Sequence, residues 1–225
     1  MRWARLLMTL FREDGLNKTL RMKYKTLNEY KEETHPWEPF IPNGADKLIL
    51  GTFPTAEGNR GAYEFFYPNP QNDFWNILFK VVDKNLRDYN NEDPINARHE
   101  VLSELRLGIA DIGKRVLRQK DSSKDVNLFP IEYRDIFHLL TTYPAIQKII
   151  ITSSSGGNSV LSWFHHYCSI NGFRLNVPKV KLPISTELLF DNRILKIEII
   201  SSPSRLSPVK GDKLYQMYRN AILNN

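Results

Sequence analysis

Four short apolar runs, separated by helical patterns, constrain the fold of this 225-residue chain more than any other feature. Runs of this length and content are typical of strands that are buried on both faces of a parallel sheet. The four runs are Lys47–Leu50, Leu107–Ile112, Lys148–Thr152 and Ile194–Ile200. A shorter run, Leu188–Phe190, is a candidate to pair with the last of these across an Asp-Asn-Arg turn.

Amphipathic helical patterns lie between these runs. Apolar residues recur at helical spacing within residues 74–82, 101–105, 133–140, 160–168 and 214–221. Strands that alternate with helices predict an α/β fold, here a three-layer α/β/α sandwich around a short, mainly parallel four-stranded sheet. Because ligands of such sheets bind at the carboxyl ends of the strands, the segments that follow the runs are the first candidates for a functional site.

Composition narrows the possible functions. The formal net charge of +6 permits a nucleic acid as partner without demonstrating one. Cys168 is the one cysteine, which excludes an internal disulfide and a cysteine-rich zinc or iron–sulfur site. The five histidines form no metal-binding pattern and are expected at the surface or its boundary. We therefore predict neither a metal nor a cofactor.

Domain organisation and location follow from the same inspection. Residues 1–34 are predicted to be a charged N-terminal extension, in which Met22 is an alternative translation start, and residues 35–225 to be one domain. His35–Pro42 is too proline-rich for a helix and is predicted to be an extended strap. No apolar run approaches the roughly 20 residues that span a bilayer. The N-terminal apolar stretch is short for a signal peptide, so a cytoplasmic location is expected. A monomer is the default expectation for the oligomeric state.

Two segments combine residue types that suit a nucleobase site. In Gly51–Pro54, glycine allows close backbone approach and proline stiffens the turn, although an ordinary strand-to-loop turn explains both. In Phe65–Trp75, aromatic rings stand beside prolines and amides, as in sites that hold flipped bases. Phe74 and Trp75 are predicted to be core, whereas Asn72 either contacts the ligand or caps the next helix, and the two roles are compatible.

The third segment, Ser201–Pro208, suits a nucleic-acid backbone. Its serines and Arg205 offer hydrogen-bond donors to phosphates. Leu206 stands among polar residues, like the apolar wedges that separate base steps, and the alternative is a leucine folded back on the core. Asp111 and Ser153 complete the candidates, because each ends or follows an apolar run.

These segments, in this order, resemble the motifs of the uracil-DNA glycosylase superfamily. Gly51-Thr-Phe-Pro54 is similar to its motif 1, a glycine-x-x-proline turn. Tyr67-Pro-Asn-Pro-Gln-Asn-Asp-Phe-Trp75 is similar to the Pro-x-Asn-x-Phe-Trp stretch of the mismatch-specific uracil/thymine and hypoxanthine branches. Ser202-Pro-Ser-Arg-Leu-Ser207 is similar to motif 2, a loop that enters the DNA. Gly108–Asp111, followed by the polar stretch Asp121–Asp125, also resembles the hypoxanthine branch. The resemblance covers residues 35 to about 222.

The resemblance implies a DNA glycosylase that flips a deaminated base, uracil or hypoxanthine, out of damaged or mismatched duplex or single-stranded DNA and hydrolyses its N-glycosidic bond. It implies that Tyr67 stacks on the base and that Asn72 takes part in catalysis. Our hypothesis is that Asn72 orients the attacking water and that Asp111 is the reserve candidate for water activation, while the alternative for Asp111 is a loop cap. The pocket would be lined by Gly51, Thr52, Phe53, Pro54 and Ser153. In the loop, Ser204 and Ser207 would grip phosphates, Leu206 would fill the vacated stack, Arg205 would contact the opposite strand or the backbone, and Ser202 and Pro203 would complete the DNA contact.

Three departures from the family pattern leave alternatives open. Phe53 stands where the classical enzymes carry aspartate or asparagine, and Ser202 where the classical uracil enzymes carry histidine. Ile151–Gly156 also differs from the hypoxanthine branch. A catalytically degenerate nucleic-acid-binding member and a nucleoside-acting hydrolase are the two alternatives. A DNA enzyme needs residues 202–207 exposed beside a basic groove, whereas a nucleoside enzyme would bury them.

Overall fold

The computed structural model describes residues 30–61, 63–89, 93–119 and 122–224. The predicted extension and Met22 therefore lie outside the described residues, except for residues 30–34. The strands are β1 (Tyr30–Thr34), β2 (Lys47–Gly51), β3 (Leu107–Asp111), β4 (Gly113–Gln119), β5 (Leu128–Tyr133), β6 (Lys148–Ile151), β7 (Ile184–Phe190) and β8 (Arg193–Ile199). The α-helices are α1 (Phe74–Val81), α2 (Pro94–Glu104), α3 (Ile136–Thr142), α4 (Val160–Ile170) and α5 (Gly211–Leu223).

A five-stranded sheet in the order β3-β2-β6-β8-β7 forms the centre of the fold. The first four strands are parallel, as the apolar runs predict, and β7 is antiparallel to β8. The sheet thus has one strand more than the four predicted. The extra strand contains Leu188–Phe190, and a tight turn at Asp191 and Asn192, both with positive φ, joins it to β8. This hairpin realises the pairing that the sequence left as a candidate.

Helices cover both faces of the sheet and confirm the three-layer sandwich. Leu48 and Leu50 of β2 face a core that includes α3 and α4, while Ile49 between them faces a core that includes α1, α2 and α5. Successive residues of a strand point to opposite faces, so a continuous apolar run is what a sheet covered on both sides requires. Asp93 and Ser159 cap α2 and α4 with side-chain oxygens.

A second sheet, with the antiparallel order β1-β4-β5, was not predicted from the sequence. Its strands are rich in charge, and cross-strand ion pairs join Arg115 to Glu32 and Glu132. Val116 and Leu128 are its buried contributions to the core beside α3 and α4. Because β1 pairs with β4 along its length, residues 30–34 are part of the domain rather than of an extension before it.

The strap after β1 crosses the molecule in extended form, as predicted. His35 N–H donates to Lys114 O at 2.8 Å, and Phe40 forms an isolated bridge with Ile109 of β3. The strap therefore carries His35 to the carboxyl end of the central sheet. Within the described ranges, no helix has the length and apolar character needed to cross a membrane.

Candidate active site

A cleft of about 790 Å³ lies at the carboxyl ends of the parallel strands. Its walls contain all of the predicted catalytic, base-binding and DNA-binding residues except Gly51, which lies under the Asp111 carboxylate. The lining includes Thr52–Thr55, Tyr67–Asn69, Gln71, Asn72, Asp111, Ser123–Val126, Thr152–Ser155, Leu182 and Ser201–Pro208. A larger groove of about 1230 Å³, near Lys47 and Lys148 at the opposite end of the sheet, contains none of these residues.

Asp111 ends β3 and forms a buried pair with His35. His35 Nε2 lies 2.9 Å from Asp111 Oδ2, and the side chains are 0% and 8% exposed. The backbone N–H of Trp37 donates to His35 Nδ1 at 3.1 Å, so this nitrogen carries a lone pair. The imidazole is consequently neutral with its proton on Nε2, which donates to the carboxylate. The prediction that the histidines lie at the surface or its boundary is wrong for His35.

Asp111 packs so closely on β2 that only glycine fits beside it. A Cβ at Gly51 would lie 2.1 Å from Asp111 Oδ1 and 3.0 Å from the Tyr67 hydroxyl. The first position of the glycine-x-x-proline turn must therefore be glycine, because the Asp111 carboxylate packs directly against it. Backbone bonds from Ile112 to Gly51 and from Gly113 to Thr52, at 3.0 and 2.9 Å, tie the turn to the corner between β3 and β4.

Tyr67 forms one wall of the cleft, and its ring orientation is constrained at both ends. The ring stacks on Phe74 with centroids 3.8 Å apart and an angle of 13°. Its hydroxyl lies 3.0 Å from Thr152 Oγ1, which donates its own proton to Leu50 O, so Tyr67 is the donor to Thr152. Burial raises the pKa of Tyr67, and the nearby Asp111 carboxylate raises it further. Tyr67 is therefore a neutral platform and not an acid–base group.

Asn72 also lines the cleft and lies two residues before α1 begins. Its Oδ1 accepts from the backbone N–H of Phe74 at 2.9 Å, an Asx turn that leads into α1, whereas the N-cap residue of α1 is Asp73. Because the amide oxygen faces that N–H, the amide NH₂ is the end that is left for another partner. Ser153 is arranged similarly, since its Oγ accepts from Val160 N–H at 3.0 Å and leaves the hydroxyl proton free to donate.

A second carboxylate, Asp125, lines the cleft and was not singled out by sequence reasoning. It begins a short 3₁₀ helix (Asp125–Asn127), and Thr52 Oγ1 donates to its Oδ2 over a long 3.4 Å. Asp125 keeps considerable exposed area, yet the surrounding cleft walls desolvate its carboxylate and raise its pKa to about 6, with a smaller contribution from Asp111. Asp125 stands inside the polar stretch that resembles the hypoxanthine branch, which was the available signal.

A buried arginine positions the wall that carries Asp125. Arg118 is fully buried, pairs with Glu33 at 2.9 Å, and donates to the carbonyl oxygens of Pro54 and Ser122. It thereby links the motif 1 turn to the loop before Asp125. Phe53 packs edge-on against His35 with centroids 5.4 Å apart, so an aromatic ring fills the position at which the classical enzymes have a polar side chain.

The loop after β8 is a small closed structure with an apolar tip. Ser201 and Ser207 hydroxyls lie 2.8 Å apart, and Ser207 N–H donates to Ser204 O at 2.9 Å. Leu206 is 81% exposed, more than any other large apolar side chain among the described residues. The alternative of a leucine folded back on the core is thereby excluded.

Other predicted DNA contacts of the loop differ in how accessible they are. Ser204 and Ser202 accept backbone N–H bonds from Leu206 and Ser204 at 3.3 and 3.2 Å, and their hydroxyl protons are free to donate. Ser207 is buried and closes the loop, and Pro203 is also buried and accepts from Asp73 N–H. In this conformation the predicted phosphate contact of Ser207 would need the loop to open.

Charge is divided between the rim and the interior of the cleft. Lys124 and Arg205 are exposed in the lining, whereas Asp111 is buried within it and Asp125 is flanked by the 52–54 turn. The expected basic groove is therefore limited to cationic side chains at the rim. Positive charge therefore lies where a polyanion would approach, Asp111 contributes buried negative charge, and Asp125 is an exposed carboxylate beside Lys124.

Comparisons of sequence and of structure each find similar proteins. The sequence is 29% identical over 117 residues to a hypoxanthine DNA glycosylase of Methanosarcina acetivorans, covering 52% of this chain and 69% of that protein. It is 24% identical over 119 residues to a hypoxanthine DNA glycosylase of Methanosarcina barkeri, covering 53% and 70%. A solution NMR structure of a candidate uracil DNA glycosylase from Methanosarcina acetivorans has a TM-score of 0.49 and 19% identity, covering 76% and 84% of the chains. No protein-family model matches the sequence.

Proposed function

We propose that this chain, which is related to the uracil-DNA glycosylase superfamily, is a DNA glycosylase that removes a deaminated base, hypoxanthine or uracil. The observation that carries the proposal is Leu206, which is 81% exposed at the tip of a closed loop on the rim of the cleft. A single exposed leucine is common on a protein surface, but this one lies at the tip of a loop on the rim of the cleft, where an apolar wedge could enter a vacated base stack.

The same loop argues against a nucleoside-acting hydrolase. A free nucleoside has no neighbouring base steps and no flanking phosphates, so an enzyme for it has no use for an apolar tip beside exposed Arg205. The carboxylates of Asp111 and Asp125 in the cleft argue against a binding module that has lost its chemistry. A binding module would gain nothing from negative charge in a cleft that receives a polyanion.

The proposed chemistry relies on charge stabilisation. As the glycosidic bond breaks, positive charge grows on the sugar and negative charge on the leaving base. The Asp111 carboxylate, held by the His35 N–H, is the group that would face the sugar cation and take a proton from the attacking water. Motif 1 then needs no acidic side chain at Phe53, because β3 supplies the carboxylate from the neighbouring strand.

Base recognition is assigned to Asn72, Ser153 and Tyr67, which line the same cleft. The NH₂ of Asn72 is a donor, so we assign it to a carbonyl oxygen of the flipped base and assign the water to Asp111. Ser153 can add a second donor, and the Tyr67 ring offers a face for stacking. Oxygen-bearing deaminated bases have acceptors where adenine and cytosine have amino donors, and this difference gives selectivity for deaminated bases.

A cleavage assay on labelled duplexes tests the proposal. Each duplex holds one hypoxanthine, uracil, xanthine or mismatched thymine, and alkali reveals abasic sites. We expect lesion-specific cleavage by the wild type and a loss of about 10²–10⁴-fold for Asp111→Asn, which keeps the shape but not the charge. Absence of cleavage on all four lesions, with salt-sensitive DNA binding intact, would refute the enzyme and favour the binding module. A monomeric state and a cytoplasmic location stay predictions.

A further inference from the structure

Asp125 is the group in the cleft that the chemistry above leaves without a task. It lies across the motif 1 turn from Asp111: Thr52 bonds to Asp125, while the preceding residue, Gly51, seats Asp111. The loop before the 3₁₀ helix that carries Asp125 is tied to the motif 1 side of the cleft, because Ser123 Oγ is bonded to Ala56 N–H and to the side chains of Thr55 and Asn59 at 3.2, 2.5 and 2.8 Å. These bonds and the bond from Thr52 place Asp125 in the lining of the cleft.

The two carboxylates differ in their hydrogen-bond environments. Asp111 accepts a bond from a buried N–H, which stabilises negative charge on its oxygens. Asp125 receives only the long bond from Thr52, and no cation lies within ion-pair distance of it among the described residues. The charged and titratable groups around Asp125 are Asp111 from β3, Arg118 from β4, Tyr67 and its neighbour Lys124. Two carboxyl groups in unlike environments of one active site can divide the tasks of base and acid between them.

We propose that Asp125 is the general acid that protonates the leaving base, an inference that rests on the proposed function. The Asp125 carboxyl gives its proton to a ring nitrogen of hypoxanthine as the bond from C1′ to N9 breaks and its electron pair stays on the base. Water adds its oxygen to C1′ and gives a proton to the Asp111 carboxylate. The products are neutral hypoxanthine and an abasic sugar, and exchange with solvent returns a proton from Asp111 and supplies one to Asp125.

The inference predicts a pH dependence with a definite sign. Desolvation raises the pKa of Asp125 to about 6, so its acid form predominates below pH 6 and is lost as the pH rises. The value of kcat/KM reports groups of the free enzyme. We therefore expect it to fall about tenfold between pH 5 and pH 7 and about tenfold more by pH 8, following the protonated fraction.

The experiment compares kcat/KM on a hypoxanthine duplex from pH 5 to pH 8 for the wild type, Asp125→Asn and Asp125→Glu. Asp125→Asn should lose about 10²-fold at pH 5.5 and lose the pH dependence, while Asp125→Glu should retain a sloping profile. Asp88→Asn is the matched control, since Asp88 is an exposed aspartate in another 3₁₀ helix, away from the cleft. Carboxyl ¹³C NMR of the free protein adds a readout without activity, with titration of Asp125 expected near pH 6.

The outcomes separate this inference from the proposed function. Cleavage by the wild type with an unchanged pH profile in Asp125→Asn, or titration of Asp125 near pH 4, overturns the general acid alone. No cleavage of any lesion by the wild type overturns the proposed function and the inference together. A loss in Asp125→Asn that is equal at every pH also overturns it, because a structural defect lowers the whole profile without removing its slope.

Discussion

A methyl group at position 51 would collide with the Asp111 carboxylate. In Gly51→Ala the new Cβ would lie 2.1 Å from Asp111 Oδ1, so the oxygen would have to withdraw by more than an ångström to reach ordinary contact at 3.4 Å. Asp111 is also held at 2.9 Å from His35, and the same withdrawal would break that bond. A displacement of about 1 Å in a catalytic group costs about 100-fold in rate. Loss of a buried hydrogen bond to a charged group costs about 2 kcal/mol of stability.

Single-turnover cleavage and thermal unfolding test this reasoning together. We expect Gly51→Ala to cut hypoxanthine about 100-fold more slowly and to melt about 4–8 °C lower, the shift that 2 kcal/mol produces in a domain of this size. Gly58→Ala is the matched control, because a Cβ there meets nothing within 4 Å and its φ is not positive. A wild-type rate in Gly51→Ala, or an equal loss in Gly58→Ala, would refute the role assigned to the contact between Gly51 and Asp111.

Three further substitutions probe separate parts of the cleft. Leu206→Ala should slow the cleavage of lesions in duplex DNA about tenfold and leave the cleavage of single-stranded DNA unchanged. Leu189→Ala, at an exposed leucine away from the cleft, should change neither rate. Equal effects of the two substitutions would disprove the wedge. Asn72→Asp keeps the acceptor for the α1 backbone but loses the amide donor, so the cleavage rate should fall about 10²-fold with little change in Tm. A large loss in Tm would indicate that Asn72 serves only the helix end. His35→Phe should lower kcat with little change in KM, because His35 positions the Asp111 carboxylate. His35→Gln, which keeps a donor, should recover part of the kcat. A change in KM alone would contradict the positioning of Asp111.

Much of the fold was predictable because its signals are local. A buried parallel strand must be apolar on both faces, and this requirement leaves runs such as Lys148–Thr152 in the sequence. The strands of the antiparallel sheet show no such continuous apolar run in the sequence. Its strands are half-buried and carry Arg115, Glu32 and Glu132, whose pairing depends on partners far away in the chain. Charged strands of this kind resemble surface loops until their partners are known.

The candidate site divides in the same way. Position after a strand was enough to select Asp111, Ser153 and the Leu206 loop, because the carboxyl ends of parallel strands meet at one edge of the sheet. Tyr67 was selected by the aromatic and proline residues around it and by the resemblance. The orientation of the Asn72 amide depends on the backbone N–H of Phe74, which can donate only to the amide oxygen. Residue type alone leaves this orientation undetermined.

The roles of His35 and Asp125 could not be predicted from the sequence. Each is an ordinary polar residue in its own segment, and each gains its chemistry from partners 76 and 73 positions away, Asp111 and Thr52. Side-chain identity and hydrophobic period are properties of the chain, and they determined the strands, the helices and the edge at which a ligand binds. Burial, tautomer and hydrogen-bond partners are properties of surroundings that exist only after folding, so the tertiary structure alone decided which carboxylate accepts a buried N–H and which one receives only a long bond from a hydroxyl.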